Sequence, residues 1–250
     1  MTASADRQLR ALLFGDIDGG VWGAAVSAPE PVLMLCDGAG ASLTLGPGEA
    51  SWSADERGWR LAGDGLELDV EPGGEGSGQS APEAGEKLGG FQELCRVRGT
   101  APLGGSGRRV DCIGTRCVVE GLEAGTLGSA RMVSGWFAAD DAFMLLALRA
   151  AAGARHADDL VAATLFDPEG WVPVADPRLS TTYTATGEPS RTNLELWVGE
   201  GENEYPRRAA GEATGTRTSL AAGRLRLHAT PLRCHSRGHD GAGVYLLAEL

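Results

Sequence analysis

Cys234, His235 and His239 bring a thiol and two imidazoles within six residues, and Cys112 with Cys117 could in principle complete a tetrahedral zinc shell of sulfur and nitrogen. The spacing matches no standard pair of ligand knuckles. Histidines at i and i+4 would share a helical face, but Gly238, Gly241 and Gly243 predict a loop. A solvated turn with no metal is expected. Cys117 is the other reactive candidate. A thiol becomes a nucleophile when a neighbouring base or cation holds it as thiolate. No local signature ties Cys117 to such a group, and a buried, inert thiol is expected. The chain has neither a G-x-S-x-G elbow nor a P-loop, and Gly38-Ala39-Gly40 lacks the strand-to-helix setting in which glycines cradle phosphate. No cofactor is expected.

The elements that would position such groups read as strands. Trp59-Arg60-Leu61 and Leu66 to Val70 alternate apolar and polar around Ala62-Gly63-Asp64-Gly65, the pattern of a β-hairpin with one buried face. Val21 to Val26 and Val32 to Cys36 are further strands. Cys95 to Thr100 alternates so that Arg96 and Arg98 share a face. Arg131 to Phe137 and Ala142 to Leu148 flank Ala138-Ala139-Asp140-Asp141 as a hairpin whose second arm is apolar on both faces. Similar units follow at Leu160 to Phe166, Trp171 to Val174, Leu179 to Thr186, Leu194 to Val198, Leu225 to Ala229 and Val244 to Leu247, with Asp167-Pro168-Glu169-Gly170 as a turn. This repetition predicts an all-β, antiparallel sandwich or barrel. Only Ser4 to Leu13, with Leu9, Leu12 and Leu13 on one face, leaves room for a short helix.

Composition narrows the partners. The net charge is −12, of which residues 1–90 carry −10. No basic cluster exceeds a pair such as Arg108-Arg109 or Arg207-Arg208, so the phosphate-neutralising stripe of a nucleic-acid binder is missing. No stretch approaches the roughly 18 consecutive apolar residues of a membrane span. The first ten residues are polar and resemble no secretory signal. With an odd count of five irregularly spaced cysteines, reduced thiols and a cytoplasmic location are expected.

From Pro72 to Gly90 the chain has seven glycines and one large apolar residue, Leu88, too little to offset its ordering entropy. It reads either as a linker between two units or as a long hairpin loop inside one. The expected organisation is an acidic β segment over 1–71 belonging to a first barrel, a linker or loop over 72–90, and a barrel region over 91–250.

Several short stretches resemble a known group. Leu94 to Gly121, with the Cys95-Arg96-Val97-Arg98-Gly99 strand and a Gly114-x-Arg116 turn ending at Gly121, is similar to the hinge region of the lipocalin-like proteins that include hydroxyneurosporene synthase and tocopherol cyclase. Asn193 to Val198 followed by Tyr205-Pro206-Arg207-Arg208, and the Gly241-x-Gly243 strand finishing at Glu249, look similar too. The resemblance implies two closely packed lipocalin-like β-barrels or half-barrels in one chain.

The sequence departs from that group at one chemically important point. Where the group's pattern runs Arg-Asp-His-x-Trp-Gly, this chain reads Arg116-Cys117-Val118-Val119-Glu120-Gly121. The acid and imidazole that would protonate an alkene or orient water are replaced by Cys117 and Val118. Glu120 would substitute only from the opposite strand face, because alternation turns it away from Cys117. The resemblance thus implies a barrel that binds a small apolar molecule, isoprenoid or lipid-like, without the group's chemistry. Arg116, Glu195 and Glu249 would be its polar contacts, and Trp136 and Trp197, with Trp171, its lining. The alternatives are a hydratase or cyclase with a relocated acid, and a structural or protein-interaction module with filled barrels.

Overall fold

The computed structural model describes residues 8–16, 18–27, 30–55, 58–73, 89–122, 127–151, 159–199 and 205–249. The regular elements among them are all strands, and each pairing is antiparallel. The first sheet contains Gln8–Asp16 (β1), Val21–Ser27 (β2), Pro31–Asp37 (β3), Ser42–Leu45 (β4), Ala50–Asp55 (β5), Gly58–Gly63 (β6), Leu66–Pro72 (β7), Gly89–Leu103 (β8) and Ser106–Glu120 (β9). Their spatial order is β4-β3-β2-β1-β9-β8-β7-β6-β5.

The second sheet contains Leu127–Ala138 (β10), Asp141–Ala150 (β11), Leu160–Asp167 (β12), Gly170–Pro173 (β13), Asp176–Tyr183 (β14), Pro189–Trp197 (β15), Arg207–Ala213 (β16), Thr218–Ala222 (β17), Leu225–Ser236 (β18) and His239–Glu249 (β19). It runs β13-β12-β11-β10-β19-β18-β16-β15-β14, with β17 pairing the first half of β18. In the first sheet β5 returns to lie beside β3, which nearly closes a barrel; the second sheet forms a half-barrel in which β12, next to the edge strand β13, and the opposite edge strand β14 only approach each other.

Alternation sorts the apolar side chains into three bodies. Leu12, Phe14, Leu33, Leu35, Leu61, Leu68 and Val97 fill the first barrel. Val133, Phe143, Leu145, Leu165, Leu194, Leu196 and Tyr245 fill the second. The residues between them in sequence, among them Leu9, Leu13, Met34, Met132, Met144, Leu146 and Leu246, form a third core where the sheets pack face to face. Each such fully buried side chain contributes about 1.5–3 kcal/mol. Two buried polar pairs cross this core, Thr115 Oγ1 to Ser134 Oγ at 2.7 Å and Thr164 Oγ1 to Gln92 Oε1 at 2.7 Å.

This arrangement corrects the short helix allowed at the start of the chain. Residues 1–7 lie outside the described residues, and Gln8–Asp16 is a strand paired on both sides, by β2 and β9. Leu9 and Leu13 face the inter-sheet core while Leu12 faces the first barrel. A strand buried on both faces carries no alternation, so its leucine spacing imitates a helical face. The run Ala142 to Leu148 is the same case read correctly as strand: Phe143, Leu145 and Ala147 enter the second barrel, and Ala142, Met144, Leu146 and Leu148 enter the inter-sheet core.

The chain passes from one sheet to the other between Glu120 and Leu127. Residues 91–120, which the sequence groups with the C-terminal region, therefore complete the first sheet. Most of the glycine-rich segment, 74–88, lies outside the described residues; the strands it joins, β7 and β8, are antiparallel neighbours in one sheet. The expected Gly114-x-Arg116 turn is instead the middle of β9, and the loop expected around Gly238 is a tight hairpin. There Arg237 and Gly238 both adopt positive φ, 50° and 81°, as a two-residue turn between right-twisted strands requires. Arg96 and Arg98 share the outer face of β8, where both reach Asp111.

Candidate functional site

On β8 and β9, the side chains that face the first barrel include two opposite charges. Glu93 and Arg116 are register partners, so their side chains leave the sheet side by side. Arg116 Nε donates to Glu93 Oε2 at 2.6 Å and Nη2 lies 2.5 Å from the same oxygen. Both side chains are buried, 7% and 6% exposed. Removing two charges from water costs several kcal/mol per ion, and such a pair persists only where geometry and neighbours compensate it.

Aromatic rings supply part of that compensation. The guanidinium carbon of Arg116 sits 5.0 Å from the Trp59 ring centroid and 5.7 Å from that of Phe91, within cation–π range. Trp52 meets Trp59 edge to face at 5.0 Å, and Phe91 lies 6.3 Å from Trp59. Phe91 follows the start of β8 and Trp59 follows the β5–β6 turn, so the group lies at the end of the barrel where β5–β6, β7–β8 and the passage to the second sheet connect. Trp52 Nε1 is buried there without a hydrogen-bond partner. The arrangement offers flat apolar surfaces, an indole donor and a paired carboxylate.

The other residues expected at a site do not join Arg116. Trp136 is buried in the inter-sheet core, with Nε1 unpartnered, and Trp171 packs partly buried against that core. Glu195 lies on the outer face of β15, where Arg208 Nε donates to it at 3.1 Å. Trp197 is on the same outer face under Arg178, 5.8 Å from ring to guanidinium carbon. Glu249 is exposed at the end of β19, opposite Ser129 and Arg226.

Cys117 faces the inter-sheet core at 0% exposure, and burial pushes its thiol up to about 12. It is a thiol, not a thiolate, across the physiological range. Glu120 is exposed and accepts a hydrogen bond from Gln8 Nε2 at 3.0 Å, so strand alternation separates it from Cys117 as expected. Cys234 points into the second barrel, while His235 turns outward to Asp240, Nδ1 to Oδ1 3.0 Å, and His239 is exposed. These three groups do not converge. Cys36 lines a small cleft between the sheets with Trp22, Met34, Thr218 and Pro231, which has room for about one water molecule.

Sequence reasoning missed Glu93, although a signal existed. Phe91, Glu93, Cys95 and Val97 occupy one face of a single strand, and an acid among three apolar neighbours marks a buried charge that needs a cation.

The sequence matches no family model and no curated protein. Solved structures do match. CghA with Sch210972 superposes with a TM-score of 0.65 at 13% identity, over 98% of this chain and 89% of that one. An AttH-like protein (NE1406) from Nitrosomonas europaea gives 0.63 at 14% identity, over 99% and 94%. Kievitone hydratase from Nectria haematococca gives 0.51 at 9% identity, over 96% and 87%. With nearly the whole length superposed on these structures, this chain has the two-barrel, lipocalin-like fold.

Proposed function

We propose that the protein binds a small apolar molecule, isoprenoid-like or lipid-like, at the end of the first barrel formed by Trp52, Trp59, Phe91, Glu93 and Arg116. One observation carries this reading: a buried ion pair stands under aromatic rings at a barrel end, where apolar walls and a few fixed polar groups suit a ligand with one polar function. The partner is a small molecule and not a nucleic acid, and five unpaired thiols favour a cytoplasmic setting.

A second reading, water addition or cyclisation on such a molecule, is favoured by Glu93. It supplies the carboxylate missing at Cys117 and Val118, on the neighbouring strand and the barrel-facing side. One structural neighbour is by name a hydratase, at an identity that speaks for fold alone.

Native mass spectrometry of the protein purified from its own host tests the binding reading. A co-purified mass of a few hundred daltons, present in the wild type and lost in Arg116→Met, is the expected result. Ligand-free wild-type protein that also gives no Trp52 or Trp59 fluorescence response to an apolar probe such as N-phenyl-1-naphthylamine overturns it. Conversion of the bound molecule by wild type, but not by Glu93→Gln, selects the catalytic reading.

A further inference from the structure

The two sheets do not pack solidly everywhere. The cleft between them is lined by Trp22 on β2, Met34 and Cys36 on β3, and Thr218 on β17, and the rest of its wall is glycine, alanine, proline and valine. It is open on one side and admits one water-sized guest. An organic molecule does not fit there; a single ion does.

The donors around this space are soft. Met34 and Cys36 stand two apart on one strand, so both leave the same face of β3, and both belong to the inter-sheet core. Trp22 is the register partner of Cys36, which sets its indole beside the thiol. Glycine fixes the lie of that ring. A Cβ on Gly15 would stand 2.8 Å from Trp22 Cδ1 and 3.4 Å from Nε1, and one on Gly38 would stand 3.8 Å from Cζ3. The pyrrole edge therefore leans over β1, while β3 with its two sulfurs lies on the other side of β2. The Nε1–H, which has no acceptor, is thus turned from Cys36, and the benzo half of the ring lies toward the Cys36 to Gly38 stretch.

Hard ligands are scarce at the same place. Among the described residues the lining holds no carboxylate and no imidazole; the neighbouring acid, Asp37, is taken up by Arg108 and by the N–H groups of Ala39 and Ala41. A thiolate, a thioether and an aromatic face select a soft metal such as copper(I) over magnesium or calcium, which need several oxygens. Charge selects the same way. One thiolate neutralises one monovalent cation, so the loaded cleft carries no net charge, whereas a divalent ion would leave a positive charge among apolar walls.

We propose that this inter-sheet cleft is a copper(I) site, with Cys36 and Met34 as sulfur ligands and the Trp22 ring covering the ion. On loading, the Cys36 S–H bond breaks, a sulfur–copper bond forms, and the proton leaves through the open side. Copper stays monovalent and no electron is transferred. Silver(I), monovalent and equally soft, enters the same site as an air-stable substitute. The site shares no residue with the Arg116 and Glu93 pair and is independent of any ligand bound there.

Anaerobic competition for copper(I) against bicinchoninate, followed by the colour of the bicinchoninate complex, tests this on the wild type, Cys36→Ala, Met34→Leu and Cys117→Ala. The wild type should withdraw about one copper(I) per chain and Cys36→Ala none. Met34→Leu should bind about tenfold more weakly. Cys117→Ala should match the wild type, because Cys117 lies in the same core but outside the cleft. Met34→Leu conserves volume and reports on the site even if Cys36→Ala folds poorly. In a parallel titration silver(I) should quench part of the tryptophan emission of the wild type and none of that of Trp22→Phe. A wild type that withdraws no copper overturns the proposal, as does a Cys36→Ala variant that withdraws as much as the wild type. Equal affinity in Met34→Leu and wild type overturns the two-sulfur site, and undiminished silver quenching in Trp22→Phe overturns the place given to the ring.

Discussion

Arg116 closes on a single oxygen of Glu93: Nε and Nη2 both meet Oε2, between the rings of Trp59 and Phe91. The pair joins adjacent strands inside a barrel whose other contents are almost all carbon, and its energetics follow from that setting.

Breaking one half of the pair leaves a buried charge alone. Arg116→Met or Glu93→Gln should each cost about 3–5 kcal/mol of stability, read as a lower urea midpoint at unchanged slope. Glu93→Met combined with Arg116→Met should recover most of that loss, because an apolar pair of similar volume removes both desolvation costs. A double variant as unstable as the sum of the singles contradicts this account.

Asp159 sets part of the acid stability. The Arg149 hydrogen bonds, then those and the charge of Arg131, hold its carboxyl below the usual range. A carboxylate whose folded pKa is depressed stabilises fully above its unfolded value, about 3.9, and that contribution is lost as pH falls through the folded pKa. Asp159→Asn should therefore lower the melting temperature at pH 7 and narrow the gap from wild type as pH falls below about 4, followed by circular dichroism. A gap that stays constant or widens on acidification refutes the assignment.

The five cysteines are all buried and unpaired. Burial holds Cys36, Cys112, Cys117 and Cys234 up at about 12 and raises Cys95 further. Ellman's reagent should label less than one thiol per native chain at pH 8 and all five after denaturation. Rapid labelling of Cys117 in the folded protein would restore it as a nucleophile candidate.

Thr115 and Ser134 tie the two sheets through a buried 2.7 Å hydrogen bond. A cycle of Thr115→Val, Ser134→Ala and the double variant should give a coupling of about 0.5–1.5 kcal/mol, with one unfolding transition in each protein. Two separated transitions would mean that the sheets unfold independently.

Much of the architecture was legible because strand signals are local. Alternation at Trp59 to Leu61 and Leu66 to Val70, the Asp167 to Gly170 turn, and the shared face of Arg96 and Arg98 depend only on neighbours in sequence. The short helix allowed near Leu9 to Leu13 failed where that locality fails: a central strand with both faces buried has no polar partner to show its period. The Cys234 to His239 stretch, expected as a solvated turn, is a two-residue turn at Arg237 and Gly238 whose flanking residues extend the two strands.

The candidate site was half legible. Of the residues expected at a site, Arg116 lies in the first barrel beside Glu93, while Glu195, Trp197, Glu249 and Trp136 lie in the second sheet. By itself the sequence determined an antiparallel all-β chain with the two-barrel resemblance, and that Cys117 and Glu120 point opposite ways. Only the tertiary structure decided that Glu93 meets Arg116, that Tyr245 reaches Tyr183 across the second barrel, and that residues 91–120 belong to the first sheet. Those are matters of register and closure: a strand's pattern states which side chains share a face, but not which strand lies beside it or how far the sheet curls before its edges meet.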